Sequence, residues 1–206
     1  MSCAPLSRNP KCDLNCDMRT SWWFAVLAGA GVGIWLLSRS NKYHSIISPD
    51  SLAPWRRTML DTAHKHADLQ TPYQWGGGRS STNYGVDCSG LVLQAMRAAG
   101  IPDPKQGWTA EAYYEAFEPV TQAQPADLAF YGAGTATHVV IVDEAQPGDT
   151  EMMIVGANGG GPNILTAADA ATAKAFVRRD RLAYRSDFLG FRSLEKYVAE
   201  TSLPVA

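Results

Sequence analysis

The chain has 206 residues, which is enough for one ordinary globular domain and an additional segment. Its formal net charge is −2, so a nucleic acid is not expected as a partner. Short basic pairs, Arg56-Arg57 and Arg178-Arg179, are interpreted as solvated surface. The chain has 4 cysteines, of which only Cys88 lies in the body of the sequence, a pattern that does not fit a disulfide framework.

An uncharged apolar run occupies 21–38, after a polar tail at 1–20. The run falls slightly short of the roughly 20 residues that cross a bilayer core comfortably. Trp22 and Trp23 at one end and Trp35 at the other stand where interfacial aromatic residues are expected. We predict a single transmembrane helix here. A cleaved signal peptide fits less well because no A-x-A site follows, and a buried core helix fits less well because arginines bound the run.

Three features of this N-terminal region stay open. Gly29 and Gly33 form a G-x-x-x-G pattern that would allow a helix-mediated homo-oligomer, although small residues are common in such segments. The basic residues around the run weakly favour a cytoplasmic location for the body of the chain. Cys3, Cys12 and Cys16 could pair between chains, accept an acyl group, bind metal or have no role. Metal is the weakest option because no fourth ligand stands nearby.

The remaining sequence predicts an α+β domain over 53–206, joined to the apolar run by a linker at 39–52. Hydrophobic periodicity predicts helices over 53–68, 88–98 and 109–116, and strands over 128–131, 138–143, 152–156, 176–179 and 188–193. Helices followed by a run of strands with short turns are typical of helices packed on an antiparallel sheet.

Cys88 opens a predicted helix directly after a glycine-rich loop, in Asp87-Cys88-Ser89-Gly90. A helix N-terminus carries partial positive charge and unsatisfied N–H groups, so a thiol there is expected to be stabilised as the nucleophilic thiolate. The same N–H groups can form part of an oxyanion hole. The alternative is a small buried hydrophobic residue, the common fate of a free cysteine.

His138 begins an apolar strand, where its ring can point towards a helix terminus in a neighbouring layer. An imidazole that meets a thiol activates the sulfur and later protonates the leaving amine. The alternative is a strand-end histidine satisfied by backbone groups. His64 and His66 are two residues apart on a predicted helix and do not share a face, so they are interpreted as surface residues and not as metal ligands.

The order and spacing of four segments resemble the NlpC/P60 family of cell-wall peptidases. The segments are Pro72-Tyr73-Gln74-Trp75-Gly76-Gly77, Asp87-Cys88-Ser89-Gly90-Leu91-Val92, Pro125-Ala126-Asp127-Leu128 and His138-Val139-Val140-Ile141. The resemblance covers roughly 53–194 and implies a papain-like fold, with the cysteine on a helix packed against an antiparallel sheet.

The resemblance implies that Cys88 is the nucleophile and His138 its base. It places Tyr73, Trp75, Asp87 and Ser89 on the substrate side of the site. The third catalytic residue of the family is polar and often histidine, but the position that aligns most simply here is Gly156. We expect Asn158 to replace it, because side chains alternate along a strand and an asparagine can accept a hydrogen bond from the imidazole.

The resemblance implies a cysteine endopeptidase without cofactor or metal, and the apolar run implies that it is anchored in a membrane. Its expected substrate is a peptidoglycan stem peptide, cut between D-glutamate and the diamino acid, in a cell envelope or by a virus that must open one. This function needs the catalytic domain on the cell-wall side of the membrane, and we expect that orientation in spite of the weak charge bias.

In a permuted branch of the superfamily, the lipid acyltransferases, the histidine precedes the cysteine. The opposite order in this chain argues against acyl transfer to lipid as its activity. A CHAP-type amidase and an NlpC/P60-like binding or assembly module that has lost its chemistry are the alternatives.

Overall fold

A computed structural model gives the conformation of residues 51–145 and 151–201. Within these ranges the α-helices are α1 (Pro54–Asp68), α2 (Cys88–Ala98), α3 (Ala110–Ala116), α4 (Ala167–Ala173) and α5 (Glu195–Thr201). The strands are β1 (Glu118–Val120), β2 (Leu128–Tyr131), β3 (His138–Glu144), β4 (Met153–Asn158), β5 (Phe176–Arg181) and β6 (Phe188–Ser193), with a 3₁₀ turn at Leu182–Tyr184 between the last two. The predicted transmembrane segment, 21–38, lies outside the described residues. No helix inside them is long and apolar enough to cross a membrane.

The strands form one antiparallel sheet in the order β1-β6-β2-β3-β4-β5. β6 returns from the end of the domain to lie between β1 and β2, and β3 lies in the interior of the sheet. Because β3 is covered on both faces, its side chains are buried from His138 to Asp143, which explains the continuous apolar run that follows the histidine. The predicted α+β class with an antiparallel sheet is therefore confirmed.

The two faces of the sheet bury separate apolar clusters. Val139 and Ile141 of β3 contribute to the cluster beneath α1 and α2, while Val140 and Val142 contribute to a smaller cluster on the opposite face. This alternation follows from the period of two residues along a strand. Burying one such aliphatic side chain is worth about 1.5–3 kcal/mol, so both faces of β3 stabilise the fold.

Helix α1 is fixed to the sheet by a polar contact as well as by apolar packing. Arg56, which is only 3% exposed, donates hydrogen bonds to the Asp127 carboxylate at 2.9 Å and to the Pro125 carbonyl at 2.8 Å. The interpretation of Arg56 as solvated surface is therefore wrong. Through these contacts the Arg56 side chain points into the protein towards the start of β2, whereas its neighbour Arg57 is exposed.

The two histidines of α1 are also not simple surface residues. His64 contacts the buried carboxylate of Asp143 on β3 at 2.6 Å, and His66 contacts Gln94 of α2 at 2.9 Å. Both rings are half-buried because α1 packs against α2 and the sheet. Each histidine therefore joins α1 to another element.

Candidate active site

The start of α2 is built by close backbone contact with the glycine-rich loop before it. A Cβ atom on Gly90 would lie 1.9 Å from the Gly77 carbonyl oxygen, so only glycine permits this approach. Asp87 caps the helix, and its carboxylate accepts a hydrogen bond of 2.6 Å from the Gly90 N–H. The sequence around Cys88 thus supplies a helix cap on one side and room for the loop on the other.

Cys88 is the first residue of α2 and its side chain faces the sheet. The thiol is buried in the cluster beneath the helices, which also contains Val139, the residue after His138. Helix α2 therefore packs against β3, with Cys88 and Val139 in one cluster.

The charge state of the thiol differs from the prediction. Burial, with a smaller effect of the neighbouring Asp87 carboxylate, raises the pKa of Cys88 to about 11, although backbone N–H groups act to lower it. The expected thiolate is therefore wrong for the unliganded protein. The cost of placing a charged sulfur in an apolar environment exceeds the stabilisation from the helix terminus.

His138 begins β3 with its side chain on the face of Val140 and Val142, and it contacts Asn158 on the neighbouring strand. The His138 Nε2 atom lies 3.1 Å from the Asn158 Oδ1 atom, and the two side chains are 8% and 1% exposed. Since an amide oxygen can only accept, Nε2 carries the proton and Nδ1 is left as the basic nitrogen. Burial, followed by the positive charge of Arg185, lowers the pKa of His138 to about 4, so the ring is neutral at pH 7.

Gly156 makes the position of Asn158 possible. A Cβ atom on Gly156 would lie 2.5 Å from Val140 Cγ1 and 2.8 Å from the Asn158 Oδ1 atom. Gly156 and Asn158 lie two positions apart on the same face of β4, and β4 pairs with β5 in regular register at both residues. The glycine therefore leaves the space that the asparagine side chain occupies.

The four residues predicted on the substrate side have different environments. Tyr73 is buried in the same cluster as Cys88, and burial followed by the effects of Cys88 and Asp87 raises its phenol pKa. Trp75 is 52% exposed and is open to a ligand. Asp87 and Ser89 are buried, and their side chains bond to each other at 2.9 Å.

Arg79 also belongs to the site, although sequence reasoning missed it. Its guanidinium donates to Asp87 at 2.8 Å, to Ser89 at 3.0 Å and to the Trp108 carbonyl at 3.0 Å. These contacts occupy the polar atoms of Asp87 and Ser89 within the protein itself. An arginine in a polar glycine-rich loop gave no signal in the sequence, because its partners are set by the fold.

Tyr184 and Asp180 are two further contacts that the sequence did not indicate. The Tyr184 hydroxyl donates to Asn158 Oδ1 at 3.2 Å, and the Asn158 amide donates to Asp180 Oδ2 at 2.8 Å. In 51–145 and 151–201 no group of three or more histidine, cysteine or acidic side chains is arranged to hold a metal ion. The candidate site comprises a buried thiol at the start of α2 and, at the start of β3, a neutral imidazole with a polar network behind it.

Comparison with known proteins identifies the family. A model of the NlpC/P60 family matches residues 70–178, more than half of the chain. The chain is 31% identical over 86 residues to the peptidoglycan endopeptidase RipB of Mycobacterium tuberculosis, a match that covers 36% of this chain and 35% of RipB. It thus spans about a third of the length of that relative.

Solved structures of similar proteins carry the same family description. An NLP/P60 family protein similar to a lipoprotein, from Staphylococcus aureus, is 28% identical with a TM-score of 0.47, over 67% of this chain and 40% of that one. The NlpC/p60 domain of the peptidoglycan hydrolase SagA is 23% identical with a TM-score of 0.48, over 67% of this chain and 97% of that one. On the match to the family model over 70–178, the chain belongs to the NlpC/P60 family.

Proposed function

We propose that this protein is a cysteine endopeptidase that hydrolyses a peptide bond in peptidoglycan stem peptides. One observation carries the proposal: Cys88, at the start of α2, packs in the same cluster as Val139, the residue after His138, while His138 is hydrogen-bonded to Asn158 through Nε2. This arrangement supplies a nucleophile, a base and a group that orients the base. Membership of the family and similarity to RipB support peptidoglycan as the substrate.

In the proposed reaction both groups start uncharged. The thiol proton moves to His138 Nδ1 as the sulfur attacks the substrate carbonyl carbon, which gives a tetrahedral oxyanion and an imidazolium. Backbone N–H groups in the first turn of α2 are placed to stabilise the oxyanion. The imidazolium then protonates the leaving amine, and water hydrolyses the resulting thioester with His138 again acting as the base.

The bond that we favour lies between D-glutamate and the diamino acid of the stem peptide. The test is incubation of the purified full-length chain with muropeptides, followed by mass spectrometry, for the wild type and for Cys88→Ala. We expect cleavage at that bond by the wild type only. Product masses from another bond would favour a CHAP-type amidase, and equal product from both proteins would contradict the proposal.

The glycine at position 156, where the family often has its third catalytic residue, favours the alternative of a binding module without catalytic activity. The contact between His138 and Asn158 removes that reason, because a polar partner for the base comes from two residues further along β4. Binding of muropeptides without turnover by the wild type would restore the alternative.

Membrane anchoring through 21–38 is a separate part of the proposal, and it depends on the apolar sequence of that segment. We propose that the catalytic domain faces the cell wall, in a cell envelope or in a virion membrane. Carbonate extraction of membranes that contain the full chain or a variant lacking 21–38 tests the anchor. Release of the full chain into the soluble fraction would contradict it, and protease protection in sealed vesicles would reveal the orientation.

A further inference from the structure

Asn158 can accept a hydrogen bond from His138 Nε2 only if its amide oxygen, and not its nitrogen, faces the ring. The reverse orientation would present two N–H donors to Nε2 and would stabilise the tautomer that carries its proton on Nδ1. A proton on Nδ1 would prevent that nitrogen from taking the thiol proton. The orientation of the Asn158 amide therefore determines whether His138 can act as the base. Contacts from neighbouring side chains must hold the amide in that orientation.

The contacts of Asp180 and Tyr184 with Asn158 supply this control. An ionised carboxylate can only accept hydrogen bonds, and Asp180 Oδ2 lies 2.8 Å from Asn158 Nδ2, so this contact requires the amide nitrogen to point away from His138. The Tyr184 hydroxyl donates to the amide oxygen on the other side at 3.2 Å. Arg178 donates to Asp180 Oδ2 at 2.7 Å and so holds the carboxylate in place.

The register of the sheet explains how these groups converge. Asp180 pairs with Ile154 and Asn158 pairs with Phe176, so Asp180 and Asn158 lie on the same face of the sheet, four residue pairs apart along the strands. Gly156, which carries no side chain, lies between them on that face, and the Asn158 amide and the Asp180 carboxylate meet at 2.8 Å. Tyr184 follows in the 3₁₀ turn directly after β5 and brings its hydroxyl to the same oxygen.

We propose that Asp180 is a positioning residue, which with Tyr184 locks the Asn158 amide and thereby fixes the His138 tautomer with its proton on Nε2. The inference rests on the proposed function for its consequence in catalysis, but the effect on the tautomer is independent of any substrate. Asp180 is itself partly exposed, with 26% of its side chain accessible, so its replacement does not open a hole in the core.

The tautomer is measured by ¹⁵N NMR of the histidine ring nitrogens in the full-length protein, with the His138 signals assigned by their loss in His138→Gln. We expect the wild type to show a protonated Nε2 and an unprotonated Nδ1. Asp180→Ala is expected to give a mixture of the two tautomers, and Tyr184→Phe a smaller shift in the same direction. Asp180→Asn retains an oxygen that can accept from Asn158, so it should keep the tautomer of the wild type.

Kinetics with muropeptides provide the second measurement. We expect Asp180→Ala to reduce kcat by about 10-fold to 100-fold with little change in KM, and Asp180→Asn to recover most of that loss. Glu151→Ala is the matched control, because it breaks an exposed ion pair with Arg181 of the same strand and should leave both quantities unchanged.

An Asp180→Ala protein with the same tautomer and the same kcat as Glu151→Ala would overturn the inference. If the wild type hydrolyses no muropeptide, the proposed function fails, and the NMR measurement alone then decides whether Asp180 fixes the tautomer. Should Asp180→Ala fail to fold, Tyr184→Phe decides in its place, and an unchanged tautomer in that variant would also overturn the inference.

Discussion

The Arg56 guanidinium and the Asp127 carboxylate form an ion pair of 2.9 Å although they lie 71 residues apart in sequence, and both side chains are almost completely buried. The pair joins the first turn of α1 to the residue before β2. Asp127 belongs to a segment by which the sequence resembles its family, and the contact gives that residue a structural role. Both charges are desolvated, so each depends on the other.

Replacement of Arg56 by alanine should therefore destabilise the protein strongly. Leaving the buried Asp127 charge without its partner is expected to lower the free energy of unfolding by about 3–5 kcal/mol, as measured by urea denaturation. Lys196→Ala removes the exposed ion pair with Glu118 and is the control, with an expected loss of less than about 1 kcal/mol. Equal losses for the two variants would contradict the structural role of Arg56.

Asp87→Asn should lower the pKa of Cys88. The Asp87 carboxylate is the second cause, after burial, of the raised thiol pKa, and asparagine removes its charge. The rate of iodoacetamide labelling against pH, followed on the peptide that contains Cys88, gives the pKa of wild type and variant. Asp103→Asn removes an exposed acidic partner of Arg97 and should leave the thiol pKa unchanged. A pKa equal to or above that of the wild type in Asp87→Asn would refute the prediction.

His64 should make stability depend on pH. Its hydrogen bond to Asp143 is the main cause that raises the pKa of His64 above 6.5 in the folded protein. The resulting stabilisation is fully present below about pH 6.5, the pKa of His64 in the unfolded chain. It is lost as the pH rises through the higher pKa of His64 in the folded protein. His64→Gln should therefore cost more unfolding free energy at pH 6 than at pH 9, as measured by urea denaturation.

His66 provides the control of opposite sign. Burial is the main cause that lowers the pKa of His66, so the folded state disfavours its charged form. The wild type therefore loses stability as the pH falls from about 6.5, the unfolded pKa, towards the lower pKa of His66 in the folded protein. The free energy of unfolding that His66→Gln loses relative to the wild type should thus be smaller at low pH than at high pH. The same pH trend in both variants would show that the contacts of the His64 and His66 rings do not determine how stability depends on pH.

Gly156→His would place histidine where the family often has its third catalytic residue, but it should abolish activity and not increase it. Even the Cβ atom of the new side chain would collide with Val140 and Asn158. We expect a loss of about 1–3 kcal/mol in the free energy of unfolding and a loss of muropeptide hydrolysis. Gly161→Ala, where a Cβ atom meets nothing within 4 Å, should retain both stability and activity. An active and stable Gly156→His protein would show that Asn158 is dispensable.

The sequence predicted the main elements because their ends carry strong local signals. Helix α2 begins and ends where predicted, since Asp87 caps it and Gly100 follows it. Helix α4 was missed because its alanine-rich sequence has little apolar periodicity, although Thr166 and Asp169 form a capping box. Strand β1 was missed because it has only 3 residues, one of which is proline.

The candidate site could be predicted only in part. Alternation along β4 correctly brought Asn158 to the face that His138 occupies, because that rule is local. The contacts of Arg79 and Asp180 depend on pairings between distant segments, which no local pattern contains. The charge of Cys88 was misjudged because the depth of burial at the start of α2 becomes known only from the packing of the sheet against it.

Cys88, the one free cysteine in the described ranges, is also protected from damage by its neutral state. Peroxides oxidise a thiolate much faster than a thiol, and sulfinic and sulfonic acids are dead ends for a nucleophile. A buried sulfur with a pKa of about 11 therefore resists oxidation while the protein is idle.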